Sequence, residues 1–569
     1  MSDQSAIATT STLSYQNRSR AGQAGFLAVL VMLAVQLLWR LNWSDNGVVQ
    51  AFPEFIVAAI SRLTPISWFG TATENYGSLA KKSLFVSVII GILVVGYYGG
   101  IAAASLSRRM NRGWIGRLVA GLAVSGVFLL FTLVVVMPIA HLGFFATKSS
   151  YTSDILIQLF ITFALYGIVW AIAWSFDRAP AEKPQTINEA LSRREAVTRG
   201  AVALSSVAGV LAVGGLSWRL LNPKKTSGAS SAAQQDTVDS IVATQQASNV
   251  AQLTPTVAPQ ATVDATTVFP QLDAQQKITP VLTKVEDFYH VSKNLTDPTV
   301  SSDGWQLKVT GHVNKELTLS YQDVVNRAAT KKITTLCCIS NELNGDLTST
   351  GEWQGFSLKD LLDEAGVKPD AIKVKFHCAD DYEDSIHLDK AMDPNVIVVT
   401  GLNGQPLTDD HGYPARMIVP GIYGMKNVKW LQKIELVDND FKGYWQTRGW
   451  SDDATTQIWG RIDTPQSGDD LAIGPVIAAG VAAAGNRGIS RVEISLDDGD
   501  TWADATLEPA LNPPFTWVRW AFPFEATKGQ MKMVLRATDG TGQIMSDHKR
   551  SPLPDGATGY PRRTFEGKS

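Results

Sequence analysis

The first two fifths of this 569-residue chain contain long apolar runs, whereas the remainder alternates apolar and polar positions. Hydrocarbon about 30 Å thick requires roughly 20 apolar residues per helix, and five runs of that kind contain no Lys, Arg, Asp or Glu. Trp residues stand near the ends of several runs, where a membrane interface would place them. The pattern predicts an all-α transmembrane region with five helices, at residues 21–39, 83–107, 118–140, 155–176 and 200–218.

The Lys and Arg residues of the short loops indicate how these helices would be oriented. Basic residues precede the first run and fill the second and fourth loops, while the third loop carries only Lys148. The positive-inside tendency then puts the N-terminus inside and everything after residue 218 outside. Arg193 and Arg194, before the fifth run, resemble an internal twin-arginine export signal, although positive-inside charge explains them equally well. The expected location is a cell membrane, multi-pass, with the C-terminal half on the extracytoplasmic side.

Two further segments complete the N-terminal half. Residues 48–63, in the first outer loop, have the spacing of a short amphipathic helix that lies on the membrane surface. Residues 223–284 read as a flexible linker. Between Thr226 and Gln276 this linker has no Lys or Arg and is rich in Ser, Thr, Ala, Gln and Pro, so it buries too little apolar surface to offset its ordering entropy.

The soluble half shows a different pattern in each of its two parts. Residues 285–465 mix strand-like alternation with helical spacing, which is typical of an α+β domain. One helix should begin at Ser357, a good N-cap, and end at Gly366. From 466 to 569 short alternating strands separated by turn residues predict an all-β sandwich. The clearest strands of the first part are expected at 305–313, 332–339, 372–378 and 396–402.

The net charge and the cysteine content exclude several classes of binding partner and metal site. The formal net charge of −3 gives no indication of nucleic-acid binding. The cysteines are Cys337, Cys338 and Cys378, which excludes a disulfide scaffold and any four-cysteine zinc or iron–sulfur site made by this chain alone. No C-x-x-C-H haem-attachment motif occurs.

Four segments of the soluble half carry a family resemblance: FYHVSKN from Phe288, W-x-L-x-V-x-G from Trp305, TLCCISNELNGDLTSTGEWQGFSLKDLL from Thr335 and DHGYPARMIVPGIYGMKNVKWL from Asp410. Together they resemble the molybdenum-cofactor domain of the sulfite oxidase family. The resemblance covers Val285–Pro465, and the part after Pro465 resembles the immunoglobulin-like dimerisation domain that follows it in the family, including DDGDTW from Asp497. It therefore implies a Mo-molybdopterin cofactor and leaves a homodimer open.

The same resemblance implies the site residues. The family pattern Thr-Leu-x-Cys-x-Ser-Asn places the molybdenum ligand, and the catalytic residue, at Cys338, with Cys337 at the variable position. Adjacent strand residues point to opposite faces, so only one of the two thiols should reach the metal. Without the motif, the pair would be interpreted as two small buried apolar residues. Arg416 and Lys429 would supply positive charge for a phosphate group, and the 426–429 turn would supply N–H donors. The implied cofactor-binding residues are Tyr289, His290, Cys338, Cys378, His411, Arg416, Asn427, Val428 and Lys429.

By this resemblance the chain would be an enzyme that transfers an oxygen atom and two electrons to or from a small-molecule substrate. A separate electron carrier is implied, such as a cytochrome, a quinone-linked subunit or a copper protein, because the chain has no haem or iron–sulfur motif. The alternatives are a sulfite oxidase proper, a sulfoxide or N-oxide reductase, and a cell-surface binding protein with a degenerate enzyme domain. The retained Cys338 and Arg416 argue against the last.

One departure from the family pattern bears on the substrate. Sulfite oxidases carry an Arg shortly after the ligand Cys, whereas this chain has no Lys or Arg between Lys332 and Lys359. The sequence therefore predicts a weaker site for an anion, unless Lys442 or Arg448 supplies the positive charge. The acidic residues between 380 and 384 read as a solvated loop.

Overall fold

The computed structural model describes residues 3–42, 51–64, 78–110, 113–140, 142–147, 152–176, 206, 209–217, 263–294 and 297–568. The chain divides into two compact units. One comprises Met1–Thr226 with Asn294–Thr299, and the other comprises Ser227–Lys293 with Val300–Ser569.

The first unit is helical. Helix α4 continues through a π-helical turn at Thr132–Val136 into a short turn at Met137–Ile139, and a 3-10 turn follows at Phe144–Ala146. The helices are α1 (Asp3–Asn42), α2 (Phe52–Leu63), α3 (Ser78–Met110), α4 (Gly113–Phe131) and α5 (Thr152–Phe176).

Four stretches of these helices are long and apolar enough to cross a membrane, namely Arg18–Arg40, Lys82–Met110, Gly113–Ile139 and Thr152–Ser175. They coincide with the first four predicted spans and suggest membrane association. Of the fifth predicted run the structure describes only residues 206 and 209–217, which are helical, so a fifth crossing stays a prediction. Helix α2 confirms the helix expected within residues 48–63.

Glycines bring the long helices close together. A Cβ on Gly25 of α1 would lie 2.2 Å from the backbone oxygen of Gly96 in α3, and one on Gly121 of α4 would lie 2.5 Å from that of Gly167 in α5. Such small-residue contacts are the usual means of packing helices in lipid, where burial of apolar surface gives no preference for protein over lipid. Polar links add to them: Gln36 Nε2 donates to Thr162 Oγ1 over 2.7 Å, and the backbone N–H of Phe52 donates to Gln36 Oε1 over 3.0 Å.

Part of the predicted linker is folded. Residues Ala265–Ala274 form helix α6, which begins at the N-cap Asp264 and buries Phe269 and Leu272 against the C-terminal region. Arg519 binds both carboxylate oxygens of Asp273 on this helix. The prediction of a flexible linker up to residue 284 is therefore wrong for this segment, because buried Val268, Phe269 and Leu272 and the Asp273–Arg519 ion pair stabilise it despite its polar composition. The part of the linker from 223 to 262 lies outside the described residues.

The next region contains two sheets with short helices, which confirms the predicted mixture of strands and helices. One sheet has the strand order β2-β1-β10-β5-β6, with β1 and β10 parallel; the other has the order β3-β4-β7-β8, with β9 paired to β7. The predicted start and stop of α8 are confirmed, since Ser357 Oγ accepts the Asp360 N–H and Gly366 has φ 69°. The elements are β1 (Gln306–Gly311), β2 (Leu317–Ser320), α7 (Tyr321–Arg327), β3 (Thr330–Cys337), β4 (Thr348–Ser357), α8 (Leu358–Ala365), β5 (Lys373–Cys378), β6 (Glu383–His387), α9 (Leu388–Ala391), β7 (Ile397–Leu402), β8 (Gln405–Pro406), β9 (Arg416–Ile418) and β10 (Leu431–Val437).

The C-terminal region consists of two facing sheets, ordered β11-β13-β17-β16 and β12-β19-β18-β14-β15. Trp520 and Phe524 of one sheet share a core with Leu535 and Phe565 of the other, as a sandwich requires. This region also contacts the preceding one, where the Trp517 N–H donates to Thr335 Oγ1 over 2.8 Å. Its strands are β11 (Trp459–Thr464), β12 (Asp470–Ala472), β13 (Gly474–Ala483), β14 (Ile489–Ser495), β15 (Ala503–Asp504), β16 (Thr506–Leu507), β17 (Val518–Ala526), β18 (Gly529–Asp539) and β19 (Arg562–Lys568).

Candidate active site

The two adjacent cysteines at the end of β3 have different surroundings. Cys338 is the first residue after the strand, and its Sγ lies 3.0 Å from Ser340 Oγ. Cys337 packs in an apolar cluster with Tyr423, Trp459 and Trp517, and burial raises the pKa of its thiol. Both thiols are buried, but Cys337 faces an apolar cluster whereas Cys338 lies beside a hydroxyl group.

Tyr289 lies beside Cys338. Its backbone N–H donates to Ser349 Oγ over 3.0 Å, and its ring stacks on that of Phe288. Burial raises the pKa of Tyr289, and the nearby Cys338 thiolate raises it further, so the phenol stays neutral. Gly424 makes room for this ring, since a Cβ there would lie 2.3 Å from the Tyr289 hydroxyl oxygen.

His411 is a buried, neutral imidazole. It ends a 3-10 turn at Asp409–His411, and its Nε2 lies 3.0 Å from the backbone oxygen of Val285. That contact assigns the ring proton to Nε2 and leaves Nδ1 as an acceptor. Burial, together with the nearby cations Arg416 and Lys429, lowers the pKa of His411 to about 3.

Arg416, the first residue of β9, is a buried cation without a carboxylate partner among the described residues. Its Nη1 donates to the backbone oxygen of His411 over 3.1 Å and its Nη2 to that of Asn427 over 3.0 Å. Its Nε is buried and forms no hydrogen bond within the described part of the chain. Burial lowers the pKa of Arg416 to about 10, so the guanidinium remains charged at neutral pH. A buried charge of this kind is costly unless an anion compensates it.

Three further predicted residues, Asn427, Val428 and Lys429, make different kinds of contact. Asn427 shapes the loop, because its Oδ1 accepts the Val419 N–H over 2.6 Å and its Nδ2 donates to Tyr423 O over 3.1 Å. The Val428 side chain belongs to the apolar core. Lys429 Nζ donates to the Asp410 backbone oxygen over 2.9 Å and lies 4.2 Å from the centroid of the Trp430 ring.

Two predicted residues are less closely tied to this cluster. His290 follows Tyr289 and is exposed. Cys378 ends β5 and is buried in the core, where its backbone N–H donates to Tyr382 O over 3.1 Å. Burial raises the pKa of the Cys378 thiol, and the Asp380 carboxylate raises it further. The structure thus brings Cys338, Tyr289, His411, Arg416 and Asn427 together, while the roles of His290 and Cys378 stay predictions.

Two sequence-based predictions need correction. The 426–429 turn does not offer all its N–H groups, because those of Lys426 and Asn427 donate to Tyr423 O and Gly424 O within the turn. The acidic residues between 380 and 384 are not a solvated loop: Asp384 is fully buried and Glu383 binds Lys375 and His377.

Lys442 and Arg448 are both engaged elsewhere. Lys442 pairs with Asp440 and Asp452, while the Arg448 guanidinium stacks on the Tyr444 ring at 3.6 Å. The expectation that either supplies positive charge to the site gains no support from these contacts.

Sequence reasoning missed the buried side chain of Lys426, the space left by Gly424 and the Ser340 hydroxyl. In the sequence Lys426 is a basic residue of a predicted turn, and its spacing does not indicate that its ammonium group points into the protein. Gly424 and Ser340 both lie within segments that carry the family resemblance, so position alone could have drawn attention to them.

Comparison with known proteins identifies two domains in the soluble half. Residues 294–445 match the family described as oxidoreductase molybdopterin binding domain, and residues 458–551 match the Mo-co oxidoreductase dimerisation domain. The mitochondrial sulfite oxidases of Rattus norvegicus and Homo sapiens are each 28% identical over 326 residues, covering 49% of this chain and 59% of the relative. The nitrate reductase [NAD(P)H] of Hordeum vulgare is 28% identical over 333 residues, covering 48% of this chain and 37% of that protein.

Among solved structures, the sulfane dehydrogenase SoxCD of Paracoccus pantotrophus is similar with a TM-score of 0.45 and 23% identity, covering 51% of this chain and 84% of that one. The chain spans about three fifths of the length of the sulfite oxidases that it matches, 59% in each case. The two family matches, together with the sulfite oxidase and nitrate reductase relatives, support an enzyme of the sulfite oxidase family that uses a Mo-molybdopterin cofactor.

Proposed function

We propose that this protein is a membrane-anchored, outward-facing oxidoreductase that transfers an oxygen atom and two electrons to or from a small substrate. The observation that carries the proposal is Arg416. Its guanidinium is 5% exposed, has no carboxylate partner among the described residues and has an unbonded Nε; the Trp353 ring at 5.0 Å offsets part of the cost of burial, and a bound anion would offset more. The phosphate of a molybdopterin is such an anion, and Arg binds phosphate through a rigid fork of donors.

The residues of the site fit the cofactor in chemical terms. Cys338 would give its thiolate to molybdenum, a soft donor of the kind that tunes a transition metal. Arg416 would bind the negative end of the cofactor, with Lys429 as a second cation. His411, neutral with Nε2 bonded to the Val285 backbone oxygen, offers Nδ1 as an acceptor for a pterin N–H. Tyr289 offers an un-ionised phenol beside Cys338. When bound, the cofactor supplies the two-electron oxygen-atom chemistry, and the protein controls access and charge.

The segment after Cys338 bears on the substrate. It contains no Lys or Arg up to Lys359, and Asn341 Oδ1 there is occupied by the Leu347 N–H over 2.9 Å. A sulfite dianion would lose one charge-assisted bond relative to a site with an Arg at this place, and such a bond contributes about 1.5–3 kcal/mol. That corresponds to roughly a ten- to hundredfold lower efficiency. We therefore propose that a neutral or zwitterionic substrate, such as a sulfoxide or an N-oxide, is preferred over sulfite.

Steady-state kinetics on the full chain, purified with cofactor from a competent host, tests the proposal. Sulfite oxidation should be compared with reduction of a panel of sulfoxides and N-oxides, using an artificial dye as the electron partner. Detectable turnover of the panel with slow sulfite oxidation supports the proposal. Fast sulfite oxidation would identify a sulfite oxidase proper, and cofactor-loaded protein without turnover on any of these compounds would favour a binding protein with a degenerate enzyme domain.

The proposed anchor and electron partner rest on the first unit. Its four apolar helices are long enough to hold the protein in a membrane, and the basic residues of their loops favour an outward-facing catalytic half. Because the chain has no haem or iron–sulfur motif, electrons would pass to a separate cytochrome, quinone-linked subunit or copper protein. Family resemblance in residues 458–551 favours a homodimer.

A further inference from the structure

Lys426 lies in the turn between β9 and β10, but its side chain is buried. Only 1% of that side chain is exposed, and Nζ has three oxygen neighbours: Asp384 Oδ1 at 2.8 Å, Ser385 O at 2.8 Å and Asp452 Oδ1 at 3.2 Å. An ammonium group has three N–H donors, so all three have an acceptor. Because all three donors of the Lys426 ammonium group are bonded, the side chain fixes the position of the turn to which it belongs.

The two carboxylates belong to a larger network. Asp452 also binds Lys373, which is 1% exposed, at 2.6 Å and Lys442 at 2.7 Å, and both of these lysines bind Asp440. Within this network three lysines, Lys373, Lys426 and Lys442, face three aspartates, Asp384, Asp440 and Asp452. Balanced, hydrogen-bonded charge is the condition under which ionised groups can be buried at an acceptable cost.

The two carboxylates that bind Lys426 come from two different segments. Asp384 comes from β6, and its Oδ2 accepts the Tyr382 hydroxyl over 2.7 Å; that hydroxyl also lies 3.0 Å from the backbone oxygen of Met425. Asp452 comes from the segment after β10. The network therefore joins the β5–β6 hairpin and the segment after β10 to the turn at Gly424–Lys426.

That turn is in direct contact with the cofactor-site residues. Gly424 leaves the space that the Tyr289 hydroxyl occupies, and the backbone oxygen of Asn427, next to Lys426, accepts from Arg416 Nη2. A shift of the turn by a few tenths of an ångström would move both contacts. Among the described residues the ammonium group bonds to oxygens of β6 and of the segment after β10, and it takes no part in either contact.

We propose that Lys426 is a positioning residue: its ammonium group, held by Asp384 and Asp452, fixes the Gly424–Lys426 turn so that Tyr289 and Arg416 are presented to the cofactor. This inference rests on the proposed cofactor role of those two residues. It predicts that loss of the Lys426 charge weakens cofactor retention, although Lys426 binds no part of the cofactor.

The test compares K426M with K442M and K426R in the full chain, purified from a host that makes molybdopterin. K442M is the matched control, because Lys442 shares Asp452 but is 43% exposed. The readouts are molybdenum content, the fluorescence of the released, oxidised pterin, and the rate of pterin loss on dilution. K426M should lose pterin about 10- to 100-fold faster, the range typical when a group that orients binding residues is removed. K442M should stay within about twofold of the native chain, and K426R should lie between them.

Thermal unfolding and circular dichroism separate positioning from misfolding. If K426M does not fold, the double variant K426M/D384N removes the carboxylate that would be left unpaired in the interior. A folded double variant that loses pterin rapidly supports the positioning role, and a folded variant, single or double, that retains pterin like the native chain overturns it. A native chain that takes up no pterin in the competent host would instead overturn the proposed function, and the positioning role with it.

Discussion

Arg416 Nη2 donates to the backbone oxygen of Asn427 over 3.0 Å. This single bond ties the first residue of β9 to the turn that leads into β10, eleven positions later. Because Nη1 is used in the same way by His411 O at 3.1 Å, the guanidinium plane is fixed by two backbone oxygens, and Nε is left without a partner among the described residues. Arg416 is therefore pre-oriented before any anion arrives, which lowers the entropy cost of binding one.

The first prediction concerns the thiolate ligand. C338S should reduce turnover below detection while leaving the fold intact, because a hydroxyl is a poor substitute for thiolate at molybdenum. C337S should retain turnover within about tenfold, since Cys337 faces an apolar cluster and its Sγ already lies 3.5 Å from Cys338 O, an acceptor that a serine hydroxyl can use. Dye-linked turnover and circular dichroism of both variants check this, and a reversed order of effects would assign the ligand to Cys337.

The second prediction separates the effect of Arg416 on the stability of the cofactor-free chain from its effect on cofactor binding. R416M removes a buried charge, which favours the folded apo chain, but it also deprives two buried carbonyl oxygens of a donor, which disfavours it. The two effects oppose each other, so the free energy of unfolding of the apo chain should change by no more than about 2 kcal/mol. Pterin content should fall sharply. R416K keeps the charge but lacks the fork, and an intermediate pterin content is expected.

Thermal unfolding of the apo chains measures the stability change, and the fluorescence of the released, oxidised pterin measures the pterin content. A R416M chain that retains a native content of pterin would show that the uncompensated guanidinium is not the anion site.

The third prediction concerns acid stability and Glu383. Burial acts to raise the pKa of this carboxyl, but hydrogen bonds from His377 and Lys375 outweigh it and lower the pKa from 4.5 to about 2. The unfolded chain therefore binds the proton more tightly than the folded chain does. The stabilisation is fully present above pH 4.5 and is lost as the pH falls toward about 2. Since the side chain is 40% exposed, solvent screening limits it to about 1 kcal/mol.

E383Q should accordingly unfold at a lower temperature than the native chain at pH 7, and the difference should shrink as the pH falls below 4.5. Melting curves of the detergent-solubilised chain between neutral and acidic pH measure this. A difference that is independent of pH would mean that the carboxylate charge contributes nothing.

The fourth prediction concerns topology. A protease added to intact cells should release the soluble half by cutting between Thr226 and Asp264, in the segment whose composition predicts a flexible tether. It should spare Ala265–Ala274, because helix α6 packs on the C-terminal sheets and Asp273 is held by Arg519. N-terminal sequencing of the released fragment locates the cut. Release from inverted vesicles alone would place the catalytic half in the cytoplasm.

Local pattern was sufficient for much of the fold. Alternation located β1, β3, β5 and β7, and helix α8 runs between the predicted N-cap Ser357 and the predicted stop Gly366. These features depend on side-chain periodicity and capping, which act over a few residues and can be read from the chain directly. Helix α6 could not be read in this way, because its stability comes from Phe269 and Leu272 packing on strands that lie about 200 residues away in the sequence.

Some features of the candidate site could likewise be predicted from the sequence, and others required the tertiary structure. The order of Cys338, His411 and Arg416 along the chain was enough to indicate a molybdenum cofactor, because family motifs preserve residue types at fixed spacing. The sequence alone could not decide which thiol is buried in an apolar cluster, that the Arg416 guanidinium lacks an anionic partner among the described residues, or that Lys426 points inward to Asp384 and Asp452. These properties arise from contacts between β3, β6, the turn before β10 and the segment after it. Burial and charge compensation depend on which distant groups meet, and only the tertiary structure determines that.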